Sequence, residues 1–107
     1  MKAKPVVLKD GRYVLCNAEE ATHVTLNIPG PTGILTLPVI HKGKREGTGC
    51  WTWNGSVDAP TLRPSVSTES GQGWLCHSWI NDGFAQFLLD STHEYSGKTI
   101  ALLDVTT

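Results

Sequence analysis

The sequence predicts a small, mostly antiparallel β domain, a sandwich or a barrel. Three observations predict it. Apolar and polar residues alternate with period two along several short segments, and turn signals built on Gly, Pro, Asn and Asp separate those segments. No stretch long enough for a helix carries helical apolar spacing.

Along THVTLNI (22–28), His23, Thr25 and Asn27 share one face while Val24, Leu26 and Ile28 share the other, as in a half-buried strand. Pro29-Gly30-Pro31 ends it. GILTLPVI (33–40) resumes the alternation, and Pro38 predicts an edge or a bulge because it has no N–H for a ladder. A glycine-rich loop (Gly43, Gly47, Gly49) leads to CWTWNGS, where Trp51 and Trp53 share one face of a short strand and Asn54-Gly55 signals a turn. In APTLRPSV, Pro60 and Pro64 stiffen the backbone on either side of Thr61 to Arg63. The polar stretch STESGQG (67–73) reads as a loop. CHSWINDGFAQFLLDSTH (76–93) reads as a hairpin turning at Asn81-Asp82-Gly83. Asp90 or Ser91 would cap, and Gly97 end, one short helical turn near residues 91–96. KTIALLDV (98–105) reads as the last strand. Without a repeat, linker or low-complexity tract, residues 1–107 form a single β domain.

At 107 residues the chain can bury one modest core. No apolar run approaches the length of a membrane span, and MKAKPVVLKDG lacks the apolar core of a signal peptide, so a soluble, cytoplasmic protein is expected. Cys16, Cys50 and Cys76 are odd in number and contain no Cys-x-x-Cys pair, which fits a reducing compartment better than a disulfide framework or a zinc ribbon. Nine basic and ten acidic residues leave a net charge of −1. The one basic cluster, HKGKR (41–45), is too short to make the broad basic face that nucleic acid requires. Trp51, Trp53, Trp74 and Trp79 read as core anchors, with an aromatic binding platform as the alternative.

Reactive side chains gather around the hairpin. If Asp82-Gly83 is a two-residue turn, counting outward pairs Asn81 with Phe84, Trp79 with Gln86, His77 with Leu88 and Leu75 with Asp90. His77 and Asp90 then lie on one face as diagonal neighbours, about 7–8 Å apart at the backbone and within side-chain reach. A carboxylate there would hold the imidazole in one tautomer. His93, three residues past Asp90 on the expected helical turn, would point back at the same face. A zinc site of His77 and His93 with Asp90 or Cys76 is the alternative, although adjacent Cys76 and His77 point to opposite faces of a strand. Among the hydroxyls, Ser65 stands out as a candidate nucleophile, because the prolines before it stiffen its approach. Ser78 points away from His77, and Ser91 and Thr92 read as capping residues.

WTWNGSVDAPTLRPSV and CHSWINDGFAQFLLDSTHEYSGKTIAL together resemble a small family of phages, prophages and bacterial defence islands. Its pattern runs Trp-x-Trp-Asn-Gly, Pro-Thr-x-x-Pro-Ser, Cys-His-x-x-x-x-x-Gly and Asp-Ser-Thr-His-x-x-x-Gly-Lys-Thr, and the match spans about residues 50 to 103. Members often carry the label ammonia monooxygenase, but nothing in this sequence offers a membrane copper site. The family is similar to BubE, the peptidase of bacterial ubiquitin-like conjugation operons. The resemblance implies a serine peptidase that processes or releases a ubiquitin-like protein and needs no cofactor. The positions that carry over are Thr61, Ser65, Cys76, His77, Asp90 and His93. Ser65 would attack, and His77 would take its proton. Either Asp90 would orient His77 or His93 would serve as a second orienting residue, and the two histidines could exchange roles. A phage protein that binds a host component without catalysis is a further alternative. The sequence sets no oligomeric state.

Overall fold

The computed structural model describes residues 1–40, 50–71 and 73–105. Among these, ten strands and one 3-10 turn run in the order β1 (Ala3–Lys9), β2 (Arg12–Leu15), the 3-10 turn (Ala18–Glu20), β3 (His23–Ile28), β4 (Gly33–Ile40), β5 (Trp51–Trp53), β6 (Leu62–Arg63), β7 (Val66–Glu69), β8 (Leu75–Asn81), β9 (Phe84–Phe87) and β10 (Thr99–Ala101). They form two sheets, β2-β1-β3-β4-β5-β6 and β10-β9-β8-β7. Every pairing is antiparallel except β4 with β5, where Val39 and Ile40 run parallel to Trp51 and Thr52. The protein is mostly β, as its periodicity predicts. No helix among the described residues is long and apolar enough to cross a membrane.

The core lies between the sheets. Val24, Leu26, Ile28, Leu37, Val39, Trp53 and Leu62 from the larger sheet meet Val66, Cys76, Ile80, Ala85 and Phe87 from the smaller. Each set is the alternate row of its strands, since successive strand residues point to opposite faces. Trp51 and Trp74 pack half-buried against this core. Trp79 instead lies on the outer face of the smaller sheet, beneath the Arg63 guanidinium at 5.1 Å.

The tight turns follow their local chemistry. Asp82 and Gly83 both have positive φ, 50° and 83°, the backbone of a two-residue hairpin loop that asparagine, aspartate and glycine tolerate. The ladder pairs Asn81 with Phe84 and Trp79 with Gln86, in the register counted from the sequence. Asp10 and Gly11 form the same turn between β1 and β2, a hairpin not anticipated above. Pro38 sits inside the larger sheet rather than at its edge. Its missing N–H costs nothing, because β5 joins β4 only from Val39 onward.

Three expectations need correction. STESGQG is not a loop throughout, because Ser67, Thr68 and Glu69 continue β7 and pair with His77, Cys76 and Leu75. The region near 91–96 holds hydrogen-bonded turns rather than a helical turn: Ser96 N–H reaches His93 O and Lys98 N–H reaches Tyr95 O. The final strand is only three residues long. After Ala101 the chain leaves β9, Leu103 bridges to Asn27 of the other sheet, and Leu102 and Val105 turn into the interior. The glycine-rich loop and its HKGKR cluster lie outside the described residues.

Candidate active site

Ser65 lies between β6 and β7, where the chain passes from one sheet to the other. Several contacts hold this crossing. Arg63 donates to the carbonyls of Leu62 and Ile80 and to Asn81 Oδ1 while covering Trp79. The Trp51 indole N–H donates to the Ser65 carbonyl at 3.3 Å. Just upstream, Asn54 Oδ1 accepts from the amides of Ser56 and Thr61. Thr61 Oγ1 in turn accepts the amide of Asp82, tying this loop to the tip of the hairpin. Thr61 is therefore a structural clamp.

His77 projects from the middle of β8 onto the outer face of the smaller sheet. Its Nε2 lies 2.8 Å from Ser65 Oγ, and its Nδ1 lies 2.9 Å from Asp90 Oδ2 and 3.2 Å from Oδ1. The carboxylate can only accept, so Nδ1 carries the proton and Nε2 presents its lone pair to the Ser65 hydroxyl. The His77 side chain is 24 % exposed and that of Asp90 56 %, so the line of three groups opens to solvent at the carboxylate end. Ser65 itself is half-buried.

Asp90 reaches His77 by a route the register count did not foresee. Leu75 does not face Asp90, because β9 stops at Phe87. Leu88 N–H still bonds His77 O at 2.8 Å, and the chain then turns through the bond from Ser91 N–H to Leu88 O. Beyond the turn, side chains replace the missing ladder. Ser91 Oγ accepts from His77 N–H at 3.0 Å and donates to His77 O at 2.9 Å. Thr92 Oγ1 accepts from Leu75 N–H at 2.7 Å, and Thr92 N–H donates to Leu75 O. Asp-Ser-Thr thus docks as a unit, with one side chain on the His77 ring and the next two on the β8 backbone. Ser91 and Thr92 hold the site together instead of capping a helix.

The structure does not bring His93 to this group. Tethering Thr92 to Leu75 carries the chain past the edge of the sheet, and His93 packs edge-on against Phe87, whose side chain faces the core. His93 Nδ1 accepts the Tyr95 amide at 3.3 Å, and its Nε2 is buried with no partner among the described residues. Gly30 packs beside the Tyr95 and His93 rings, and its φ of +95°, rather than any lack of room for a Cβ, is what asks for glycine there. Cys76 is 2 % exposed and points into the core, opposite His77. Ser78 is likewise buried on that inner side. Among the described residues no three His, Cys, Asp or Glu side chains are grouped to hold a metal ion, so the alternative zinc set of His77, His93 and Asp90 or Cys76 is not assembled.

A hydroxyl, an imidazole and a carboxylate joined by two short hydrogen bonds form the constellation that activates serine as a nucleophile. Compared with known protein families, the chain matches the model described as bacterial ubiquitination-like system serine protease (BubE) over residues 2–88. No curated protein and no solved structure matches it. The matched stretch contains Ser65 and His77 and stops just short of Asp90.

Proposed function

The chain belongs to the family of the bacterial ubiquitination-like system serine protease (BubE), and from that premise we propose that it is a serine peptidase with Ser65, His77 and Asp90 as its catalytic residues. Its substrate is the acyl linkage of a ubiquitin-like protein, in a bacterial defence or phage setting. The observation that carries the reading is the continuous hydrogen-bonded line Ser65 Oγ, His77 Nε2, His77 Nδ1, Asp90.

In this mechanism Ser65 Oγ attacks the carbonyl carbon of the scissile bond while His77 Nε2 takes the hydroxyl proton. Collapse of the tetrahedral intermediate expels the leaving group, which receives that proton from His77. Water, deprotonated by His77, then attacks the acyl-serine, and the proton returns to Ser65. Asp90 keeps Nδ1 as the protonated nitrogen and stabilises the transient imidazolium. Stabilising the developing oxyanion falls to backbone N–H donors beside the nucleophile in this mechanism.

Ser65→Ala removes the nucleophile while leaving the Trp51 bond to the backbone of residue 65 in place. The variant folds as the parent does, and cleavage of a ubiquitin-like fusion protein is lost. Cleavage at the parent rate by folded Ser65→Ala rules out Ser65 as the nucleophile.

A further inference from the structure

An edge strand exposes a row of unpaired backbone donors and acceptors that an extended peptide can complete. The smaller sheet ends at β7, and among the described residues no strand pairs with its outer side. Ser65 immediately precedes that strand.

The hydrogen-bond alternation of the ladder shows which backbone groups of β7 face outward. At its foot, Ser70 N–H bonds Trp74 O, so residue 70 turns its backbone toward β8. In an antiparallel ladder the direction alternates, so Thr68 and Val66 also turn inward while Ser67 and Glu69 turn outward. The partner strand agrees. His77 and Leu75, opposite Ser67 and Glu69, give their backbone bonds to the far side, to Leu88, Ser91 and Thr92. Ser67 and Glu69 are both exposed, and Thr68 is anchored beneath by a 2.7 Å hydroxyl contact with Thr32. The strand is therefore a fixed rail with its free N–H and C=O groups at Ser67 and Glu69 and the reactive hydroxyl at its head.

We propose that the outer edge of β7 is the substrate's main-chain binding site: the acyl-side segment of the substrate adds to it as an antiparallel strand, pairing with Ser67 and Glu69 and delivering its last carbonyl to Ser65. This rests on the peptidase reading above. The antiparallel direction follows from the position of Ser65 at the N-terminal end of β7, because a strand running the other way would carry the acyl side away from the hydroxyl. Recognition of this kind reads the extended state of a tail rather than its side chains. It selects flexible termini over folded surface.

The test uses covalent probes on the intact protein. A small alkyl fluorophosphonate measures whether Ser65 is reactive. Oligo-alanine diphenyl phosphonates of one to five residues measure what the edge adds. The expected result is a second-order labelling rate that climbs about tenfold or more once the peptide is long enough to pair with Ser67 and Glu69, since each neutral hydrogen bond contributes modestly. N-methylation of the longest probe should slow labelling at alternate amides only, with period two. Ser67→Pro removes an outward N–H and spares the inward bonds of Val66 and Thr68, and it should abolish the gain with length. If Ser67→Pro fails to fold, the N-methyl series on the unaltered protein decides the matter. Rates independent of probe length, or N-methyl effects without alternation, overturn the edge site and leave the nucleophile standing. No labelling of Ser65 by the small fluorophosphonate overturns the peptidase reading and the edge site with it.

Discussion

Ser91→Ala tests whether the Asp-Ser-Thr run builds the site. Ser91 is only 6 % exposed, and its hydroxyl makes two bonds to a single residue, accepting His77 N–H at 3.0 Å and donating to His77 O at 2.9 Å. Alanine removes both. The carbonyl keeps its bond from Leu88 N–H, so that loss is cushioned. The amide keeps no partner among the described residues. A buried donor left unpaired costs about 1–3 kcal/mol, and the cushioned bond adds about 0.5 kcal/mol or more. Together the substitution should destabilise the fold by about 1.5–3.5 kcal/mol. In a domain of this size that lowers Tm by roughly 10 °C. Urea unfolding should show the midpoint fall with an unchanged slope, marking a loss of stability rather than a different unfolded state. Turnover should fall about tenfold or more under conditions where the variant is fully folded, because the backbone that carries the imidazole is no longer pinned and small misplacements are costly. A stability change below about 0.5 kcal/mol, the range of ordinary surface substitutions, would refute the clamp.

Asp90→Asn should lower kcat by about 10³–10⁴-fold with little effect on KM, because an amide can favour the wrong imidazole tautomer; steady-state kinetics with a ubiquitin-like fusion measures it. His93→Phe should change kcat less than about threefold, because the ring touches none of Ser65, His77 and Asp90; a hundredfold loss of turnover in the folded variant would return His93 to the mechanism. Burial, and after it the charge of Glu20, raise the pKa of the Cys16 thiol, with Lys9 opposing. At mildly alkaline pH less of Cys16 is thiolate than of a free cysteine, so iodoacetamide should alkylate it more slowly, and Glu20→Gln should speed the reaction.

Much of this arrangement was legible in the sequence because local rules wrote it. Asp82-Gly83 dictates a two-residue turn, the turn dictates register, and register puts His77 on the outer face with Cys76 and Ser78 inside. Asp10-Gly11 carried the same information for the first hairpin. β7 was hidden because an edge strand need not be apolar on its exposed face: Ser67 and Glu69 look like loop residues until β8 is beside them. His93 was misplaced because i, i+3 reasoning presumes a helical turn, whereas the chain is held by side-chain bonds from Ser91 and Thr92 to β8 and crosses to the inner face. Leu75 failed to meet Asp90 for the same reason. The parallel pairing of β4 and β5 depends on packing between segments distant in sequence, which no local pattern reports.

The position of Ser65 at the passage between the sheets has a mechanical consequence. His77 and Asp90 ride together on the smaller sheet, and Ser91 fastens the one to the other. Ser65 is held partly by the larger sheet, through Trp51 and the strand that ends at Arg63. A fractional slide of one layer over the other would stretch the contact from hydroxyl to imidazole and leave the contact from imidazole to carboxylate intact. Turnover is then a strain gauge for the seam between layers. Volume lost at Leu62 or Val66, both buried where the chain crosses, should register in the rate before it registers in the fold.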